Sequence, residues 1–472
     1  MIFQKSRRTK TIWSFESNVL SADLAKTVIA EDFDALRIVY GQGSGEKIAE
    51  FISAVKAQKP PDRTIPIMLD VPTQVRAIVD PSSAPVEVKY GDLKTIGLSA
   101  KSADISIQTD HFKELLVEGA TVYFSYGYAE ALVKSVSGDK AHLEIVQGGI
   151  IHPGMEVHVP TTRAAPLMEH FDLKDLSKVL KLTIDYFVMP GFVSSTEIQK
   201  FIAAVESLCD VKPWFILKVN SSDVYRKLGD LLEHVHGVLI SRLELALVME
   251  PAMVPVVTKE IIQLCNDKSR ISLIASEMLG SMRTNPTPTR AEVSDIANAV
   301  ADGADAVVLT EDIPYGANAA RAIALMAKII EDVESKRELL PNWSRQDPHI
   351  VEEMDAVAYA AYRTAKRVDA KAIVCLTKEG NTAVKLASFR TTIPIIAVTF
   401  SRDVLRRLSL VGGVSGVLLE ADPVIDQVLP VVNDLLKRAS SLQVGDRIVF
   451  VSVTLSSLSR SESNLFTVQT IS

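Results

Sequence analysis

Short apolar runs alternate with longer amphipathic ones from the start of the chain: "TKTIWSF" (9–15), "DLAKTVIAED" (23–32), "ALRIVY" (35–40), "EKIAEFISAVKAQ" (46–58) and "IPIMLD" (65–70). Near-continuous apolar runs suit strands buried on both faces, and apolar stripes at helical spacing suit helices laid against them. This order, β-α-β-α-β, predicts a parallel sheet. The rhythm breaks after Asp70 and resumes at "TIDYFVMP" (183–190), then "WFILKV", "GVLISR", "SRISLIA" and "GADAVVLT" (303–310), with amphipathic stretches between. Eight such strands, each followed by a helix except where the interruption falls, predict a (β/α)8 barrel.

The interruption reads differently. "VEVKYG", "TIGLSA", "DISIQ", "ATVYFSYG" and "EALVKSVSGDKAHLEIV" carry strand patterning with Gly, Asp and Ser at the breaks, which predicts a small all-β domain inserted after strand three. After Glu334 a polar, Pro-containing linker leads to a further alternation of helix and strand, a C-terminal α/β domain. The expected organisation is a barrel domain over 1–73 and 158–335, an inserted β-barrel-like domain over 74–157 and an α/β domain over 336–472.

Composition narrows the class. With 47% hydrophobic and 23% charged residues in 472, the chain reads as globular and long enough for several cores. The net charge of −7 has no basic stripe behind it, so nucleic acid is not an expected partner. Cys209, Cys265 and Cys375 are widely spaced and flanked by apolar residues, which suits reduced packing thiols. No window approaches the length of a membrane span and no leader-like apolar stretch opens the chain, so a cytoplasmic protein without membrane contact is expected.

Barrel active sites gather at the carboxyl ends of the strands. The residues there are Arg37, Asp70, Lys218 with Asn220, Arg242 with Glu244, Ser276 with Glu277, and Thr310 with Glu311. Cations and carboxylates converging on one rim suit an anionic ligand and a divalent cation. Taken singly, a strand-end cation reads as an ion-paired rim residue; the constellation is the stronger signal. His234 and His236 could form a metal pair, but His-x-His in a polar turn reads first as surface. "GQGSGEK" (41–47) has the glycines of a phosphate loop without the Walker lysine spacing, and a helix-initiating turn explains it as well.

One stretch carries more. "ASEMLGSMRTNPTPTRAEVSDIANAVADGADAVVLTED" (275–312) resembles the seventh-strand and following-helix signature of the pyruvate kinase family. "RRTKTIW", "LRIVYGQG", "PIMLD", "FVMPGFVS", "LKVN" and "GVLISRLELA" occupy corresponding places in the same order. The resemblance implies phosphoryl transfer from phosphoenolpyruvate to ADP in glycolysis, with Mg2+ or Mn2+ as cofactor, and an oligomer, either a homo-tetramer or a hetero-oligomer with a catalytic homologue. By the same resemblance Arg37 would bind phosphate, Lys218 would stabilise the moving phosphoryl group, Arg76 would assist at the nucleotide side, Ser276 would stand near the enolate proton and Asp70 would be a remnant of the potassium site.

Departures from the family pattern bear on those roles. "RIVYGQG" replaces Arg-x-Asn-Phe-Ser-His-Gly, and Val71 replaces a threonine, so one potassium ligand of four remains and K+ is not expected. "DVPTQVR" (70–76) is shorter than the family loop and lacks its lysine. At the metal position Asn220 stands for a glutamate and Glu244 for an aspartate, which lowers the protein charge there and weakens the expected hold on Mg2+ or Mn2+. Leu243 replaces a glycine whose backbone approaches the substrate phosphate. In the C-terminal domain "LTKEGNTAVKLASFR" (376–390) is similar to the family's effector-phosphate loop, with Thr377, Lys378 and Thr382 as the candidate contacts, while its usual glycine-rich partner loop is "VTLSSLSRSESN" (453–464). A plain strand-to-helix turn explains the first loop equally well. Two readings follow: a pyruvate kinase tolerating an altered site, or a catalytically inactive or weakly active paralogue that binds anionic metabolites or serves as a regulatory or structural subunit. A different divalent-metal enzyme on this scaffold has fold-level support alone.

Overall fold

The computed structural model describes residues 2–3, 7–41, 44–60, 63–71, 77–98, 103–109, 112–125, 127–159, 173–309, 313, 317–336, 353–419, 442–452 and 465–471. Eight parallel strands close a barrel: β1 Lys10–Glu16, β2 Ala35–Val39, β3 Ile67–Asp70, β4 Tyr186–Met189, β5 Trp214–Val219, β6 Gly237–Ser241, β7 Ile271–Ala275 and β8 Ala306–Leu309. Helices such as Gly45–Gln58, Ser195–Glu206 and Val254–Asp267 turn their apolar stripes inward, burying Ile48, Phe51, Ile198, Phe201, Ile261 and Ile262 against the strands. Their starts are written locally: Ser21 and Ser221 accept backbone amides at helix N-termini, and Thr289 with Glu292 forms a reciprocal capping box for Arg290–Ala301.

Between β3 and the helix Leu173–Leu180 the insert forms its own closed barrel of seven short strands around a separate core that includes Ile96, Val122, Phe124 and Leu143. The C-terminal domain is a six-stranded sheet in the order Ile2–Phe3, Val414–Leu418, Ile395–Thr399, Ala372–Leu376, Arg447–Ser452, Leu465–Thr470. The alternation pattern did not foresee its first member. Ile2–Phe3 pairs antiparallel with Val414–Leu418, so the start of the chain lies in the sheet of the last domain.

The amino ends of the barrel strands repeat one device four times. The residue just before each even-numbered strand accepts the backbone amide of the preceding odd strand: Asp34 from Thr11 (2.9 Å), Asp185 from Ile67 (2.9 Å), His236 Nδ1 from Phe215 (3.1 Å) and Asp305 from Ser272 (3.0 Å). Each of those residues returns its own amide to the carbonyl of the same partner at 2.9 Å. The staple satisfies backbone groups that a buried strand start would otherwise strand without partners. Two of the aspartates also hold the C-terminal domain. Arg406 reaches Asp185 at 2.7 Å, while Arg390 forks onto Asp305 at 2.9 and 2.7 Å, where the Gly412 amide also donates (2.8 Å). Burial pushes the Asp185 carboxyl up against the opposing pull of Arg406, the Ile67 amide and Lys56. The barrel floor is therefore a dock, sealed around it by Tyr186, Trp214, Leu386, Leu408 and Leu410.

His234 and His236 resolve separately. The His236 ring stacks on Trp214 (centroids 5.3 Å apart, 10° between planes) and its Nδ1 is taken by the Phe215 amide, while His234 faces Gln199. The cysteines pack as expected, Cys265 and Cys375 buried and Cys209 half-buried, with burial pushing the Cys209 thiol up to about 11.

Candidate active site

At the opposite end of the barrel the strand ends bring Arg37, Asp70, Lys218, Asn220, Arg242, Glu244 and Ser276 onto one rim. Asp70, wholly buried at the end of β3, sits between two cations. Arg37 on β2 donates through Nε (2.8 Å) and Nη2 (2.5 Å) to Oδ2, and Lys218 on β5 places Nζ 3.0 Å from Oδ1. Arg37 also donates Nη1 to Ser14 Oγ at 2.7 Å. Burial alone would raise the Asp70 carboxyl, but the charges of Lys218 and Arg37 and their hydrogen bonds outweigh it and hold it below the usual carboxylate range. Arg37 and Lys218 are each 5% exposed. Their positions are secured by mutual pairing, since removing one member of such a cluster strands a buried charge at a cost of about 3–5 kcal/mol.

The other rim cation is committed elsewhere. Arg242, just past β6, opens a short helix, Arg242–Val248. Its guanidinium forks onto Asp295 of the helix Arg290–Ala301 at 2.6 and 2.7 Å and donates to the carbonyls of Ser276 (2.6 Å) and Ala275 (3.3 Å). It braces the turn after β7, where Ser276, Glu277 and Leu279 take φ of 80°, 58° and 62°, a left-handed backbone that side chains resist. The expectation that Arg242 offers its fork to an anionic ligand is corrected: the fork faces Asp295.

Glu244 lies in the first turn of that short helix. Its Oε2 accepts from Asn220 Nδ2 (2.8 Å) and its Oε1 from Ser241 Oγ (2.9 Å). The longer side chain is thus folded back onto its own strand end. No group of three or more His, Cys, Asp or Glu side chains arranged to hold a metal ion occurs among the described residues. At the metal position inferred from the resemblance, the donor set is one carboxylate already holding two neutral donors and one amide that turns its nitrogen inward. Those two residues do not fit a divalent cation, which requires converging oxygen lone pairs.

The glycine-containing loop after β2 finds a structural explanation. Gly45 opens the helix Gly45–Gln58, and its amide donates to Asp175 Oδ2 (2.9 Å), which also accepts from Tyr40 Oη (2.8 Å). The helix start that could have met a phosphate meets an internal carboxylate instead. In the C-terminal domain Thr377 continues the sheet through its amide and accepts the Gly380 amide on Oγ1 (2.9 Å); Lys378 is exposed and Thr382 is buried in the helix Asn381–Ser388. Gly380, at φ 101°, lies against Trp214, where an added Cβ would come within 3.1 Å of the indole. Arg76, Thr310, Glu311, Gln42 and the 453–464 segment lie outside the described residues.

Sequence reasoning found the rim residues by their places at strand ends. It gave no role to the internal partners Ser14, Ser241, Asp175 and Asp295 or to Gly191, although all but Asp175 lie inside runs quoted for their pattern or resemblance.

A closed parallel barrel with a β domain inserted after β3, a docked α/β domain and a cationic rim bearing a buried aspartate defines a three-part barrel class. Comparison with known proteins narrows this. Residues 6–323 match the family model described as pyruvate kinase, barrel domain, and residues 355–468 match that described as pyruvate kinase, alpha/beta domain. The chain belongs to the pyruvate kinase family. It is 26% identical over 453 residues to the pyruvate kinase of Clostridium perfringens (94% of this chain, 95% of that one). It is 28% identical over 459 residues to that of Geobacillus stearothermophilus (94% and 77%), and 30% identical over 380 residues to pyruvate kinase 2 of Synechocystis (78% and 63%). No described helix is long and apolar enough to cross a membrane.

Proposed function

We propose that this protein binds a phosphorylated carboxylate of the phosphoenolpyruvate type at the Arg37–Asp70–Lys218 cluster and transfers its phosphoryl group to ADP slowly or not at all, acting as a metabolite-binding or regulatory member of the family. Family membership and relatives named pyruvate kinase support phosphoenolpyruvate and ADP as the substrate class. The observation that carries the reading is the asymmetry of the rim. Two buried cations share one carboxylate, so a ligand anion beside them gains charge-assisted hydrogen bonds, notably from Lys218, whose ammonium carries three protons and pairs with Asp70. At the metal position, in contrast, neutral donors already occupy Glu244.

Phosphoryl transfer depends on positioning and on neutralising charge that spreads over the moving group. Arg37 and Lys218 would bind and orient the phosphate, Asp70 keeps both charged and in place, and the Arg242 brace holds Ser276 at the edge of the same rim. A divalent cation would supply the remaining neutralisation, and the residues at its position do not fit one. Ground-state binding therefore survives where transition-state stabilisation is lost. Potassium dependence is not expected either, because Arg37 and Lys218 already surround the one retained ligand, Asp70.

A coupled assay for pyruvate from phosphoenolpyruvate and ADP, with Mg2+ or Mn2+ and with or without K+, tests the reading. Turnover orders of magnitude below that of a pyruvate kinase run alongside, together with measurable binding of phosphoenolpyruvate that Lys218→Met abolishes, is the expected result. Comparable turnover would sink it.

A further inference from the structure

The Asn220 amide can be oriented from chemistry alone. A carboxylate only accepts hydrogen bonds, so the edge 2.8 Å from Glu244 Oε2 is the NH2 edge and Oδ1 points the other way. Oδ1 points at Gly191, just past β4: a Cβ built on Gly191 would lie 2.1 Å from it and 3.0 Å from the Lys218 carbonyl oxygen. Asn220 is 9% exposed, and Oδ1 accepts no hydrogen bond among the described residues. For a cation to sit between Asn220 and Glu244, the amide must turn over. That rotation sets two acceptors against each other and presses the NH2 group onto Gly191, while discarding a hydrogen bond to a charged group.

We propose that the Asn220 amide is a built-in replacement for the divalent cation at this rim. It is a neutral donor that, with Ser241, fills the oxygens of Glu244 and holds them without metal. Gly191 is the positioning residue that makes the arrangement possible, because its missing side chain is the space Oδ1 occupies. The consequence deepens the function proposed above and rests on it for the ligand: recognition of the anionic ligand at Arg37 and Lys218 is independent of divalent metal. The lock itself stands on geometry and can be tested without any ligand.

The test is a titration of the full chain with MnCl2, read by the loss of the free Mn2+ electron paramagnetic resonance signal and by the melting temperature. For the wild type, neither readout is expected to change beyond a buffer control, whereas Asn220→Glu, with a carboxylate in place of the donor, should sequester Mn2+ and melt at a temperature that climbs with its concentration. Saturable binding to the wild type that Glu244→Gln removes would overturn the proposal. Should Asn220→Glu fail to fold, Asn220→Asp, of the same shape, replaces it in the comparison. Gly191→Ala adds a methyl and no charge: a lower melting temperature is expected, and one equal to the wild type would contradict the positioning role. Calorimetry with phosphoenolpyruvate separates the two claims. Equal affinity in EDTA and in Mg2+ supports metal independence, and affinity that requires Mg2+ refutes it. Absence of binding in both, with the Mn2+ titration silent, would strike the proposed function and leave the lock standing.

Discussion

The two ends of the same eight strands are built on different rules. At the amino ends one device recurs at every even strand, an acceptor side chain holding the neighbouring strand's amide, and two of the four acceptors extend it across a domain boundary to Arg390 and Arg406. At the carboxyl ends no such repeat occurs among the described residues: Asp70 serves two cations, Arg242 braces a strained turn and Glu244 is held by an amide and a hydroxyl. Both ends bury ionised groups, so burial of charge does not by itself mark a functional site. The partners make the difference. Floor carboxylates spend oxygens on backbone amides, whereas Asp70, among the described residues, is met by the side-chain cations Arg37 and Lys218.

The same comparison gives the rim residues a part in stability that does not depend on catalysis. Arg37, Asp70 and Lys218 form one buried cluster, so loss of any member costs stability whether or not catalysis continues. Asn220 and Glu244 lie outside that cluster and pair with each other and with Ser241.

The largest expected effects come from removing a shared carboxylate. Asp305→Ala strips the floor of the partner for Arg390 and for two amides and should lower stability by about 3–5 kcal/mol in chemical denaturation, leaving the affinity of the folded protein for phosphoenolpyruvate unchanged. Asp70→Asn should cost a similar ~3–5 kcal/mol and, unlike the floor change, alter ligand affinity as well. Equal effects of both variants on ligand binding would break the distinction between the ends. A pH titration sharpens it further. The Asp70 carboxyl is held down in the fold, so its contribution is present above the unfolded carboxylate range and disappears as pH falls through the folded value; the acid limb of stability should flatten in Asp70→Asn.

Smaller effects belong to the floor's exception. His236 fills the place that aspartates fill at the other three even strands, and as an amide acceptor through Nδ1 it must stay neutral. Burial, then Arg270 and Arg407, push its pKa down, against the opposing effect of the hydrogen bond with the Phe215 amide. A depressed histidine stabilises above its unfolded value and loses that contribution as pH falls below it. His236→Asp should therefore remove part of the destabilisation between neutral and mildly acid pH, an effect of about 1 kcal/mol or less, visible as melting curves that converge less on acidification.

The floor and the rim were unequally legible in the sequence. Alternating runs specify strands and helices because burial on both faces leaves a periodic mark, and strand ends then name Arg37, Asp70, Lys218, Asn220 and Glu244 without any contact information. What periodicity cannot carry is partnership. Asp295 is an ordinary helix-surface residue until Arg242 forks onto it, Asp175 is one charge in an amphipathic helix until it caps Gly45, and nothing in the run "FVMPGFVS" tells that Gly191 leaves room for the Asn220 amide. The strand Ile2–Phe3 is too short for a pattern, and its place is set by the open edge of a sheet over four hundred residues away in the chain.

The central claim is that the rim keeps a ligand site assembled by its own side chains after losing the means to hold a metal. Calorimetric titration of the wild-type protein with phosphoenolpyruvate in EDTA tests it most directly. The account predicts saturable one-to-one binding, unchanged when Mg2+ replaces EDTA and abolished by Lys218→Met; binding that appears only with Mg2+ would contradict it.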